Sequence, residues 1–287
     1  MSERTGARTT AAVTLAPSVD ASIAVICGVI SSGRFVWSEA QILRLWVVWL
    51  IVDIILGLIL AQWRTLKAVN LQQVLGDGEG HPRGLIPYSV SGSPGAHLAQ
   101  AMNRVVSQWQ DAVWPLAGRA ALTAILGAVL ALAMATFLGR EILGLVAFGL
   151  VFGVGLIVVC REREVLSRWL HFLQVSLAWL AGGRALGPLA MPAVGLALLM
   201  GLGAYAREGF ETGERSGFFR LVWVTNWSLV LTLLLSQQPV LAVVVGVTSL
   251  AEAMSRGESG VKAGLPLLHN VGWFVSMFIA ALAVTRW

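Results

Sequence analysis

The feature that most constrains the fold is a series of long apolar runs, of which residues 142–160 are one. That run contains no charged side chain, and about 20 apolar residues are enough for a helix to cross roughly 30 Å of hydrocarbon. Of the 287 residues, 57% are hydrophobic and 12% are charged, whereas a soluble domain carries about 25% charge. The sequence therefore predicts an integral membrane protein. Because an open sheet cannot lie in lipid, the expected fold class is all-α.

About nine such runs follow one another along the chain. They cover residues 18–33, 42–63, 115–138, 142–160, 166–182, 186–206, 219–236, 238–255 and 266–285. The seventh and eighth are separated by Ser-Gln-Gln-Pro, where Pro239 favours the start of a new helix. We expect residues 18–287 to form a single transmembrane helical domain, and the polar residues 1–17 to form a disordered tail.

The distribution of basic residues predicts how this domain lies in the membrane. If the loops alternate between two sides, fourteen Lys and Arg residues fall on the side of the N-terminal tail and five on the other. By the positive-inside rule, the N-terminus is cytoplasmic and the C-terminus is outside. The two long loops, residues 64–113 and 206–218, are on the cytoplasmic side, and long loops commonly carry function. The expected location is a bacterial inner membrane.

Two short motifs lie in these cytoplasmic loops. Residues 82–94 read PRGLIPYSVSGSP, and residues 211–217 read ETGERSG. In overall plan and in these two motifs the chain resembles the UbiA family of intramembrane prenyltransferases, whose loops carry sequences such as RPLPSGRIS and DxEGDRxxG. The second motif looks like a version shortened by one residue, with glutamate in place of aspartate.

The first acidic motif of that family, N-x-x-x-D-x-x-x-D, is degraded in this chain. An alignment that starts at Asn70 keeps the asparagine and finds Asp77 and Glu79 beside the second acidic position. An alignment that starts at Ala61 keeps neither aspartate. The chain is thus similar to a divergent member of the family.

The resemblance implies a UbiA-like helical bundle that transfers an isoprenoid from its diphosphate to an aromatic or lipid acceptor. Such chemistry uses carboxylates to hold Mg²⁺ against phosphate oxygens and basic side chains to bind the remaining oxygens. The implied metal ligands are Glu208, Glu211, Glu214, Asp77 and Glu79, and the implied diphosphate-binding residues are Arg64, Lys67, Arg83 and Arg215. The glutamates at every third position share a broad face of a helix. They are alternatively the charged residues of a solvated turn, and the basic residues alternatively serve only to orient the protein.

Asp53 is an ionisable residue near the middle of the second run. Such a residue is a functional hypothesis by default, here as a proton relay or as one end of a buried pair, for which Arg119 is a candidate partner. The structural alternative is a protonated acid hydrogen-bonded to a neighbouring helix.

Two further functions stay open at the level of sequence. One is a non-catalytic UbiA-fold protein that binds an isoprenoid, quinone or pigment, or serves as a subunit of a membrane complex. The other is a nine-helix transporter that uses Asp53 as its coupling site. The expected partners are membrane lipid and a polyisoprenoid ligand. No nucleic acid is expected, because the basic residues behind the net charge of +5 are spread over many loops.

Overall fold

The computed structural model describes residues 19–68, 118–160, 162–211, 215–257 and 266–285, and every regular element in these ranges is helical. They are α1 (Val19–Ser31), α2, α3 (Arg119–Leu138), α4 (Arg140–Val159), α5 (Arg163–Arg184), α6 (Met191–Glu211), α7 (Arg215–Leu235), α8 (Pro239–Gly257) and α9 (Pro266–Val284). Helix α2 runs without a break through Glu39–Trp49, a π-helical segment at Leu50–Ile55, and Leu56–Ala68. The described part of the chain thus has nine helices, one for each predicted run, and the all-α prediction is confirmed.

The helices extend beyond several of the predicted runs. The predicted loop at residues 206–218 is helical as far as Glu211 and again from Arg215, and α2 continues into the predicted loop at 64–113 as far as Ala68. Arg, Lys and Glu are good helix formers, so the end of an apolar run does not end a helix. Charged side chains are consequently held on rigid helix ends rather than on loops.

In the part of the chain that the structure describes, three helical segments are long and apolar enough to cross a membrane. They are Glu39–Arg64, Arg119–Leu138 and Arg140–Val159. On α3 and α4, large apolar side chains point away from the bundle; Phe137 is 89% exposed and Val158 is 76% exposed. Apolar patches this large are rare on soluble monomers and are typical of surfaces that meet lipid or another protein.

Helix α5 is the centre of the packing, since it contacts α1, α2, α4 and α6. Helix α1 packs tightly against it, because glycines let the two backbones approach. A Cβ atom on Gly28 would collide with the Trp179 carbonyl, and one on Gly182 with the Val25 carbonyl. Small residues at such crossings are the usual device for packing helices without a large side-chain layer.

The connections fix the directions of the helices. Gly139, at a φ of 118°, is the single residue between α3 and α4, a conformation that glycine adopts at little cost. At the same end of the bundle, Arg184 forms an ion pair with Glu141. The opposite end, where α2 and α6 end and α5 and α7 begin, is called the Arg64 end below.

Candidate functional site

The Arg64 end joins three helices through a short chain of hydrogen bonds. The Nη2 atom of Arg64 on α2 donates to the Ser167 carbonyl on α5 at 3.4 Å. The Ser167 hydroxyl in turn donates to the Glu208 carboxylate on α6 at 2.8 Å. Glu208 and Arg163 also interact electrostatically with the Arg64 guanidinium. Two of the sequence-predicted site residues, Arg64 and Glu208, are therefore brought together.

Two further arginines are buried at this end. Arg168 on α5 is 3% exposed, and its guanidinium lies 4.4 Å from the centre of the Phe218 ring on α7. Arg207 on α6 is 6% exposed, and its guanidinium lies 4.5 Å from the centre of the Trp273 ring on α9. Aromatic faces attract such cations. Burying a charge is nevertheless costly unless an opposite charge or hydrogen bonds offset it.

One carboxylate beside Arg168 lies at the surface. The Nη2 atom of Arg168 is 3.5 Å from Glu164, whose side chain is 65% exposed and is screened by its surroundings. The Nε atom of Arg64 is also buried, and it has no hydrogen-bond partner among the described residues. The interior of the Arg64 end is therefore suited to an anion.

Aromatic rings lie beside these arginines. The Trp169 and Tyr205 rings are 5.0 Å apart, and the Tyr205 and Phe218 rings are 5.9 Å apart. The chain of rings therefore connects α5, α6 and α7. Aromatic surface of this kind keeps water away from the guanidinium groups and presents π faces to any positive charge that forms nearby.

The other predicted site residues are described in part or not at all. Lys67, Glu211 and Arg215 lie on the last turn of α2, the end of α6 and the start of α7, and their side chains are outside the described part. Asn70, Asp77, Glu79, Arg83 and Glu214 are outside the described residues altogether. Among the side chains that are described, no three His, Cys, Asp or Glu residues lie close enough to hold a metal ion.

Sequence reasoning missed Ser167, Arg168 and Arg207. It treated the two arginines as loop charges that orient the protein, although Arg168 falls inside the predicted run 166–182. An arginine within an apolar run is itself a signal of function. The pairing of Ser167 with Glu208 has no such signal, because it depends on how α5 and α6 pack.

A second polar pair lies further along α5. His171 Nε2 is 2.9 Å from Asp20 Oδ2 on α1. His171 follows Ser167 by four residues, so the two side chains lie one turn apart on the same face of α5. This pair ties the first turn of α1 to α5 and continues the polar face inward from the Arg64 end.

Asp53 is buried in the π-helical segment of α2, at 2% exposure. It accepts a hydrogen bond from the Ser22 hydroxyl on α1, and the Trp49 indole N–H donates to the same hydroxyl oxygen at 3.0 Å. Asp53 is thus hydrogen-bonded to a neighbouring helix, and its carboxyl oxygen is the acceptor of that bond. Arg119, its candidate partner from the sequence, is exposed at the start of α3.

A groove of about 470 Å³ runs between α1 and the first half of α2. Its walls are apolar and aromatic, and Ile26, Phe35, Trp46 and Trp49 are among them. Ser22 also lines it, and supplies a hydroxyl next to Asp53. The Arg64 end and this groove are separate sites, because Asp53 precedes Arg64 by eleven residues, or about 17 Å of helix.

Comparisons with protein-family models, with curated proteins and with solved structures return no match to this chain. The resemblance to the UbiA family therefore stays a prediction. The function has to be argued from the described residues.

Proposed function

We propose that the chain is a multi-pass membrane protein that binds an isoprenoid diphosphate at the Arg64 end and transfers the isoprenoid to an aromatic or lipid acceptor. The observation that carries this proposal is the presence of Arg64, Arg168 and Arg207, each at least partly buried, at one end of an apolar helical bundle. Buried arginines with aromatic neighbours suit a ligand that is anionic at its head and apolar along its chain.

The ligand head is proposed to be a diphosphate because of the donors available. A guanidinium presents five N–H groups in a planar fork that matches phosphate oxygens. The buried Nε atom of Arg64, which has no hydrogen-bond partner in the described part of the chain, would gain one from such an oxygen. Bonds of this charge-assisted kind are roughly twice as strong as neutral ones.

The apolar surface of α3 and α4 supports the membrane part of the proposal. With the N-terminus on the cytoplasmic side, the Arg64 end faces the cytoplasm, where soluble isoprenoid diphosphates are made available to a membrane enzyme. All nine helices then cross or enter the bilayer of a bacterial inner membrane. The exposed apolar side chains would be in contact with lipid tails and would carry no penalty there.

The proposed reaction breaks the C–O bond between the isoprenoid and its diphosphate. The diphosphate leaves with the electron pair, and a carbon or oxygen of the acceptor forms the new bond and releases a proton. Charge on the leaving group is stabilised by arginines that are already in place, which avoids reorganisation during the reaction. Charge on the isoprenoid is stabilised by the neighbouring aromatic rings.

Mg²⁺, where bound, would neutralise the diphosphate as it leaves. Glu208 is the predicted ligand whose side chain is described, and it accepts a hydrogen bond from Ser167 beside Arg64. The described residues therefore fit the anion itself. The Mg²⁺ requirement rests on the other predicted carboxylates, which are Glu211, Glu214, Asp77 and Glu79.

The test is the binding of geranylgeranyl diphosphate to the purified protein, with and without Mg²⁺. We expect Mg²⁺ to strengthen binding to the wild type, and the Glu211→Gln/Glu214→Gln double variant to lose that gain. Glu39→Gln is the matched control, because Glu39 is exposed in the first turn of α2, away from the Arg64 end. Absence of binding in a folded wild-type sample would refute the proposal.

Release of diphosphate separates transfer from binding. If the wild type binds the diphosphate but releases none in the presence of membrane extract as a source of acceptors, the non-catalytic alternative is favoured. We expect release, with a rate that falls in the double variant.

A further inference from the structure

The π-helical segment of α2 places a buried carboxyl group beside the apolar groove. A π-helical turn carries an extra residue, which rotates the side chains that follow it, and such turns are frequent at functional sites. Here the segment contains Asp53, which is directed at Ser22 on α1. Ser22 and Trp49 both line the groove, and the Trp49 indole N–H donates to the Ser22 hydroxyl oxygen. The groove therefore has one polar point in an otherwise apolar wall.

The hydrogen bonds of Ser22 decide what that point can bind. A serine hydroxyl has one donor and two acceptor lone pairs. The donor is used by Asp53, and one lone pair is used by the Trp49 indole. Within the described part of the chain this leaves one lone pair of Ser22 for a ligand. A ligand that meets this atom must therefore donate a hydrogen bond.

The size and the lining of the groove indicate what kind of ligand chain it can bind. Pockets for small molecules are typically about 300–1,000 Å³, mostly apolar, with few polar groups, and this groove has about 470 Å³. None of the described residues that line the groove is an arginine or a lysine. An anionic head such as a diphosphate finds no countercharge there, whereas an uncharged chain fits.

We propose that the groove binds a long-chain alcohol, whose hydroxyl donates to the Ser22 oxygen and whose chain lies against Ile26, Phe35 and Trp46. A quinone or an ester is a poor ligand, since its carbonyl oxygens only accept hydrogen bonds and the donors of Ser22 and Trp49 are already engaged. Asp53 accepts the hydrogen bond that the Ser22 hydroxyl donates, so the hydroxyl oxygen keeps a lone pair for a ligand that donates. This site is independent of the function proposed for the Arg64 end.

The test uses tritiated farnesol and the full-length protein in lipid nanodiscs, with binding measured by scintillation proximity. Unlabelled farnesol and farnesyl methyl ether are the competitors, because they share the chain and differ in the single donor. In the wild type we expect farnesol to compete about fivefold better than the ether, which corresponds to one hydrogen bond of about 1 kcal/mol. Equal competition by the two compounds, or no binding of farnesol, would overturn the proposal.

Two variants locate the site. Ser22→Ala should bind farnesol and the ether equally, and a preference that survives this change would contradict the assignment. Ile26→Trp should exclude both compounds by filling the groove, and it is expected to fold because Ile26 is 54% exposed. Unchanged farnesol binding by folded Ile26→Trp would also overturn the proposal.

Both variants should bind geranylgeranyl diphosphate as the wild type does, because their substitutions are far from the Arg64 end. This measurement keeps the two proposals apart. If the wild type does not bind geranylgeranyl diphosphate, the proposed function alone is refuted. If farnesol and its methyl ether compete equally for the wild type, the groove assignment alone is refuted.

Discussion

Two arginine side chains are buried at the Arg64 end. Arg168 and Arg207 are almost wholly buried and lie over Phe218 and Trp273. Aromatic faces attract cations and offset part of the cost of removing them from water. We interpret these arginines as charges that an anionic ligand would meet already desolvated.

This interpretation predicts weaker binding when the charge at position 168 is removed. Arg168→Met should bind geranylgeranyl diphosphate at least about tenfold more weakly, because a charge-assisted hydrogen bond contributes roughly 1.5–3 kcal/mol.

Arg140→Met is the matched control for position 168, because Arg140 is exposed at the first residue of α4, at the end of the bundle opposite the Arg64 end. We expect it to keep most of the binding. Thermal unfolding in detergent and equilibrium binding on the same preparations check both expectations. A stable Arg168→Met protein with wild-type binding would contradict the role of this arginine.

At the scale of elements, the arrangement depends on how closely α1 approaches α5. That approach positions Asp20 against His171 and leaves Ser22 within reach of Asp53. Gly28 is the point of closest approach, because an added Cβ atom would collide with the Trp179 carbonyl. Both polar contacts of α1 thus depend on one small residue.

Gly28→Ala should lower the stability of the protein by about 1–3 kcal/mol, the usual cost of overpacking a well-packed contact. Gly155→Ala in α4 is the control, since nothing lies within 4 Å of an added Cβ atom at that position. There we expect no loss, because alanine favours a helix by up to about 1 kcal/mol relative to glycine. Thermal unfolding of the two variants measures the difference, and equal stability would contradict the packing account.

The sequence predicts these elements well and their details less well. Hydropathy locates each helix because each apolar run overlaps most of one helix. It does not locate the π-helical segment at Leu50–Ile55, since one extra residue per turn leaves no mark on composition. It also misplaces the ends at Glu211 and Arg215, where charged residues continue the helices.

The site is only partly predictable for a related reason. Arg64 and Glu208 can be named from the sequence through the family resemblance, because each lies just beyond the end of an apolar run. Ser167 acquires its role when α5 packs between α2 and α6, and Arg168 and Arg207 acquire theirs from rings on α7 and α9. Contacts between helices that are distant in sequence have no local signal.

At the scale of the whole molecule, one end of the bundle is charged and its flanks are apolar. The three arginines gather where α2 and α6 end and α5 begins, and the exposed surface of α3 and α4 is made of large aliphatic and aromatic side chains. Such a molecule can hold a charged head at the membrane surface while the attached chain stays in an apolar medium. The proposed function requires that the Arg64 end binds the charged head of the ligand.

The most direct test of that claim is the dissociation constant of geranylgeranyl diphosphate for wild type, Arg64→Gln and Arg34→Gln, each checked for folding by thermal unfolding. Arg34 is an exposed arginine between α1 and α2, away from the Arg64 end, and is the matched control. We predict binding at least about tenfold weaker in Arg64→Gln, from the loss of one charge-assisted contact of roughly 1.5–3 kcal/mol, and unchanged binding in Arg34→Gln. Equal binding by all three folded proteins would contradict the claim.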